Sequence, residues 1–126
     1  MVHCAPADLA THVPMEPGTA VVVMSHNYLR DLDFLRSLLG RQVAYIGCLG
    51  PGERLERMLK DLAAAGTPAA PEDIERIHGP AGLDLGADGP TEIAWSILSE
   101  ILAVRRGASA GFLVHSKGPS ELRRLP

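Results

Sequence analysis

The chain has 126 residues, 46% of them apolar and 21% charged, with a formal net charge of −3. That is the make-up of one domain with a modest core, and it offers no basic surface that would call for nucleic acid or an anionic membrane as the main partner. Aromatic residues at 4% give few faces for base stacking, and two cysteines, Cys4 and Cys48, are too few for a disulfide framework.

The run MVHCAPADLATHVP at the start is broken by prolines and has no apolar signal core. No apolar stretch reaches the ~20 residues a membrane span needs. A reducing, cytoplasmic setting is therefore expected. VHC at 2–4 is a weak strand candidate, and 7–12 can form a short helical turn. TAVVVMSH at 19–26 is a β-branched run of the kind buried on both faces of a parallel sheet. Over 28–39, Leu32, Leu35, Leu38 and Leu39 recur among charges, which predicts an amphipathic helix, with Gly40 as its stop. QVAYIGCLG at 42–50 reads as a second buried strand. GERLERMLKDLAAAG at 52–66 reads as a second helix with Leu55, Met58, Leu59 and Leu62 inward. PEDIERI at 71–77 opens with Pro and two acids, a good helix start, and a weak strand is expected around Ile77. A longer helix is expected over 90–104. The tail from 108 to 126 is turn-rich and basic, and is expected to be partly disordered or docked on a partner.

Strand, helix, strand, helix argues for crossover connections and a parallel α/β sheet. Two strong strands make a small sheet with an unsatisfied edge. The expectation is a partial Rossmann-like three-layer fold over 1–107, completed by dimerisation or by a partner chain.

In such sheets ligands bind at the carboxyl ends of the strands, which places SHNYLRD and GCLGPGER there. Gly47, Gly50 and Gly52 are spaced G-x-x-G-x-G, which is neither the dinucleotide fingerprint nor a P-loop. Their turn can present backbone N–H groups to an anion, with Arg54 pairing a phosphate, or it can serve only to turn the chain. His26 can donate to an anion or a pterin, or be a hydrogen-bonded residue at a strand end. Asn27 and Asp31 read as helix-capping groups. Cys48, inside an apolar strand, reads as a small hydrophobe rather than a nucleophile or sulfur carrier. His3 beside Cys4 makes no metal site alone, and the five histidines never take a metal-ligand spacing. No catalytic or metal-binding residue is assigned. Trp95 is expected in the core or in an interface.

HGPAGLDLGADGP at 78–90 holds four glycines and two prolines in thirteen residues. Gly79, Gly82, Gly86 and Gly89 permit unusual backbone or close approach. Gly89 as N-cap, Pro90 at N1 and Glu92 at N3 would start the last helix. Asp84, between Leu83 and Leu85, is expected either to accept backbone N–H bonds in a buried knot or to face a ligand.

VVVMSHNYLRDLDFLRSLL, VAYIGCLGPGERLERML and RIHGPAGLDLGADGPTEIAWSILSEILAVRRG together resemble the C-terminal Rossmann domain of XdhC/CoxI-type proteins, over about residues 19–107. IHGPAGLDLGADGPTEIA is the most specific part. The resemblance implies a maturation factor or chaperone for xanthine or CO dehydrogenase-type molybdenum hydroxylases, and a cofactor-binding accessory protein rather than an enzyme. It implies that molybdenum cofactor is bound and delivered, not used, with Ser25, His26, Gly47, Gly50, Gly52, Arg54, His78, Gly82, Asp84 and Gly86 as its contacts. The implied partners are an apo molybdenum hydroxylase and a cysteine desulfurase. The chain departs from the family pattern in four ways. It has no G-x-G-x-x-G half and no Ser-Gly-Gly-Cys domain, Pro51 and Gly52 replace Ser-Arg, and Cys48 replaces a large apolar residue. The alternatives are an NAD(P)-binding oxidoreductase-like domain, which the missing fingerprint weakens, and a structural or dimerisation domain that binds no small molecule.

Overall fold

A computed structural model of the chain describes residues 15–115. The strand expected at 2–4, the helical turn at 7–12 and the tail beyond 115 lie outside the described residues.

Three parallel strands form one sheet in the order β1 (Ala20–Val23), β2 (Tyr45–Cys48) and β3 (Ile77–His78). Val21 pairs with Ile46, Val23 with Cys48, and Gly47 with His78. Helix α1 (Tyr28–Leu38) joins β1 to β2, and α2 (Gly52–Ala64) and the short α3 (Pro71–Arg76) join β2 to β3. Helix α4 (Gly89–Arg106) follows the glycine-rich loop, and a 3₁₀ turn, Leu113–His115, comes after it. The α/β, partial Rossmann-like fold read from the sequence is the fold observed, with the weak strand at Ile77 present.

Strand alternation decides what each face buries. Val23, Ile46 and Cys48 point to one face and meet Leu32, Leu35 and Leu38 of α1 and Met58 and Leu62 of α2 in a single buried cluster. Tyr45 and Gly47 point to the other face, where α4 lies. The Tyr45 hydroxyl donates to Glu100 Oε1 at 2.7 Å, and Ser96 and Ile97 are buried there.

The helix ends follow the local chemistry. Asn27 caps α1, its Oδ1 accepting the Arg30 N–H at 3.0 Å. Gly40, at φ +77°, lets the chain turn away after α1. Asp73 accepts the Ala70 N–H at the start of α3 and the Gly40 N–H across the loop, each at 3.0 Å. Two expectations are corrected here. The N-cap of α4 is Asp88, one residue before Gly89, and the Asp88 N–H donates to Glu92 Oε1 at 3.0 Å. Asp31 does not cap α1. It is buried in the first turn and binds groups outside the helix.

Candidate functional site

The carboxyl ends of the strands carry two grooves that share the wall Leu49, Gly50 and Pro51. The smaller, of about 280 Å³, lies on the β1 side and is lined also by Met24, His26, Asp31 and Arg54. The larger, of about 650 Å³, lies on the β3 side under the loop that includes Gly82, Asp84 and Gly86, with Ile93 and Ser96 of α4.

The smaller groove is organised by Asp31, only 2% exposed. Its carboxylate accepts the Ser25 N–H at 2.9 Å, the Ser25 hydroxyl, and Arg54 Nη1 at 2.8 Å. Burial opposes its charge, but the bonds from Ser25 and Arg54 outweigh burial and hold the carboxyl below its ordinary range. Arg54 also lies over the Tyr28 ring, 5.6 Å from its centroid. A guanidinium fixed by one of its nitrogens and a ring keeps other N–H donors for a second partner. No side chain caps the N-terminus of α2. The Arg54 backbone N–H donates to the Pro51 carbonyl at 3.0 Å. Gly52 and Glu53, which carry the first two N–H groups of α2, line neither groove, so the donor that α2 brings to the groove is the Arg54 side chain. His26, exposed and at φ +62°, stands at the rim.

The larger groove is mostly apolar and backbone. Gly82, at φ +114°, passes so close to Ser96 that a Cβ there would overlap its side chain. The Gly82 N–H donates to Glu100 Oε1 at 2.9 Å and the Leu83 N–H to the Ser96 carbonyl at 3.1 Å, which fastens the loop to α4. The buried-knot expectation for Asp84 is corrected: Asp84 is exposed, as is Leu85 at 59%. The anchor of the loop is Glu100, reaching in from α4.

The structure thus brings His26, Gly50 and Arg54 to one groove and Gly50, Gly82, Asp84 and Gly86 to the other, with Ser25 supporting the first through Asp31. It does not bring Gly47, Gly52 or His78 to either. Gly47 is buried in β2 with Tyr45 beside it, where a Cβ would lie 2.8 Å from the ring. Gly52 opens α2 next to Gly79 and Pro80. The His78 ring stacks on Tyr45 at 4.6 Å between centroids, and its Nδ1 lies 3.4 Å from Glu100 Oε1. Burial pushes the Cys48 thiol up to about 11, aided by the negative charge of Asp31. Trp95 is 65% exposed and so is not a core residue of this chain. Sequence reasoning missed Asp31 and Glu100 as organisers. The one signal for Asp31 was an acid on the buried face of a helix, four residues before Leu35. Among the described residues no cluster of His, Cys, Asp and Glu could hold a metal ion, and no helix is long and apolar enough to cross a membrane.

The family model for the XdhC Rossmann domain matches residues 2–101. The chain belongs to the XdhC Rossmann-domain family. It is 33% identical over 106 residues to "Uncharacterized protein YqeB" of Escherichia coli K12, covering 84% of this chain and 19% of that protein. It is 29% identical over the same length to a probable xanthine dehydrogenase subunit of Bacillus subtilis, covering 29% of that protein. The crystal structure of a xanthine dehydrogenase from Bacillus halodurans superposes with a TM-score of 0.69 at 31% identity, over 84% of this chain and 30% of that one. This XdhC Rossmann domain therefore spans less than a third of the length of each of these relatives.

Proposed function

We propose that this XdhC Rossmann domain serves the maturation of xanthine dehydrogenase-type molybdenum hydroxylases by holding molybdenum cofactor as cargo across its two grooves. The observation that carries the reading is a groove in which Arg54, held by Asp31, keeps further N–H donors, separated from an apolar groove by a wall of three residues. The cargo has a matching division: a phosphate at one end and a flat, hydrogen-bonding pterin further along. Arg54 and His26 suit the phosphate. Leu49, Pro51, Leu83 and Ile93 offer apolar surface to the pterin, and Asp84 at the rim can accept its N–H groups. In this reading an apo-hydroxylase receives the cargo and a cysteine desulfurase supplies sulfur to it.

Mix the purified chain, alone and with a candidate partner chain, with molybdenum cofactor, and measure the pterin retained after gel filtration by its fluorescence once oxidised. Retention is expected, and it should fall in Arg54→Ala and Asp84→Ala. Asp84 is exposed, so Asp84→Ala should change stability by no more than about 0.5 kcal/mol. No retention with or without a partner overturns the proposal. Heat on titration with NADH or NADPH would instead favour the oxidoreductase-like alternative.

A further inference from the structure

Helix α4 buries one face and carries an exposed apolar stripe on the nearly opposite one. The inner face, with Ser96, Ile97 and Glu100, packs on the sheet beside Tyr45. Trp95, Leu98 and Leu102 stand about 160° around the helix from it, at 3.6 residues per turn. They are 65%, 64% and 55% exposed. An exposed run of large apolar side chains on one helix face marks an interaction surface. Large apolar residues spaced three and then four apart form the seam by which two helices pack.

The geometry points to a second copy of this chain as the occupant, with the two α4 helices packed antiparallel about a two-fold axis between Leu98 and Ser99. That axis sets Trp95 of each copy against Leu102 of the other and brings the two Leu98 side chains together. The charges fit the same axis. Glu92 in the first turn and Arg106 in the last lie on the same flank of the stripe. Antiparallel packing places Glu92 of one copy within about one residue of level with Arg106 of the other, as the helical repeat requires. The pair occurs twice, as a two-fold demands. Opposed helix dipoles add in the same sense. A partner of unrelated sequence would have to supply the reverse order of charges by chance.

Trp95 is the sole tryptophan, so its emission reports this surface directly. Sedimentation of the full chain over a micromolar concentration series should show a monomer–dimer equilibrium, with Trp95 emission moving to the blue as dimer forms. Leu98→Asp should abolish both while leaving the helical circular dichroism intact. Arg106→Glu alone should weaken the dimer by roughly tenfold or more, because like charges then face each other twice. Glu92→Arg combined with Arg106→Glu should restore it. A chain that stays monomeric throughout overturns the inference. So does a dimer indifferent to Leu98→Asp, or a charge exchange that fails to rescue. Should Leu98→Asp lose its fold, the charge pair still decides the matter.

Discussion

Asp31 and Arg54, twenty-three positions apart, are joined at 2.8 Å at the base of the smaller groove, the carboxylate 2% exposed and the guanidinium 23%. The pair ties the first turn of α1, and through Ser25 the chain leaving β1, to the first turn of α2. It also fixes the one cation that lines either groove among the described residues.

Removing Asp31 should therefore cost more than losing a surface ion pair. Asp31→Ala strands the Ser25 N–H and leaves Arg54 without its anion, while the Ser25 hydroxyl keeps the Asn27 carbonyl as acceptor. We expect a loss of about 2–4 kcal/mol in unfolding free energy, as for other broken buried pairs. Urea denaturation followed by circular dichroism measures it. A loss below about 1 kcal/mol, the level of an exposed pair, would show that the pair is not structural.

Stability should fall on the acid side. Asp31 and Asp73 both have carboxyls held below the ordinary value of 3.8. In each, burial opposes the charge and hydrogen bonds outweigh it. Those on Asp73 come from the Gly40 and Ala70 N–H groups and from Arg76. The unfolded chain then binds protons more tightly than the folded one, so stability is complete above about pH 5 and drains away as pH drops through the folded pKa values. Urea midpoints at pH 6 and pH 3.5 test this. The drop should shrink in Asp73→Asn, and an unchanged drop would point to other carboxylates.

Two glycines of the same loop should respond differently to alanine. Gly82→Ala places a Cβ at φ +114° and into Ser96, whereas Gly86→Ala, at φ +68°, meets open space. The left-handed backbone alone costs about 1–2 kcal/mol, which Gly86→Ala should show and Gly82→Ala should clearly exceed. Equal melting temperatures for the two variants would mean that the loop gives way at Ser96.

Cys48 should be inert while the chain is folded. With its thiol pushed up to about 11, about a thousandth of it is thiolate at pH 8, and thiolate is the reactive form. In a Cys4→Ser background, alkylation should be slow in buffer and fast in urea. Rapid labelling of the native chain would reopen a nucleophilic or sulfur-carrying role.

The elements were legible because each has its own pattern: a β-branched run at β1, a short apolar run at β2, and leucines three and four apart in α1 and α2. The grooves followed from the rule that ligands meet the carboxyl ends of parallel strands. What was not legible depends on partners distant in the chain. Asp31 looked like a capping acid because Arg54 is a helix away. His78 and Gly47 looked like site residues because each lies inside a single continuous motif, IHGPAGLDLGADGPTEIA and YIGCLG. Strand alternation turns both to the face where Tyr45 and Glu100 lie. Asp84 looked buried because its neighbours are leucines, yet Leu85 points to solvent.

Glu100 Oε1 takes both the Tyr45 hydroxyl and the Gly82 N–H. One oxygen atom thus pins sheet, helix and loop at a single point. If α4 slides or rolls, the roof of the larger groove must follow or let go. Anything that leans on the outer side of α4 therefore has a lever on the groove from behind.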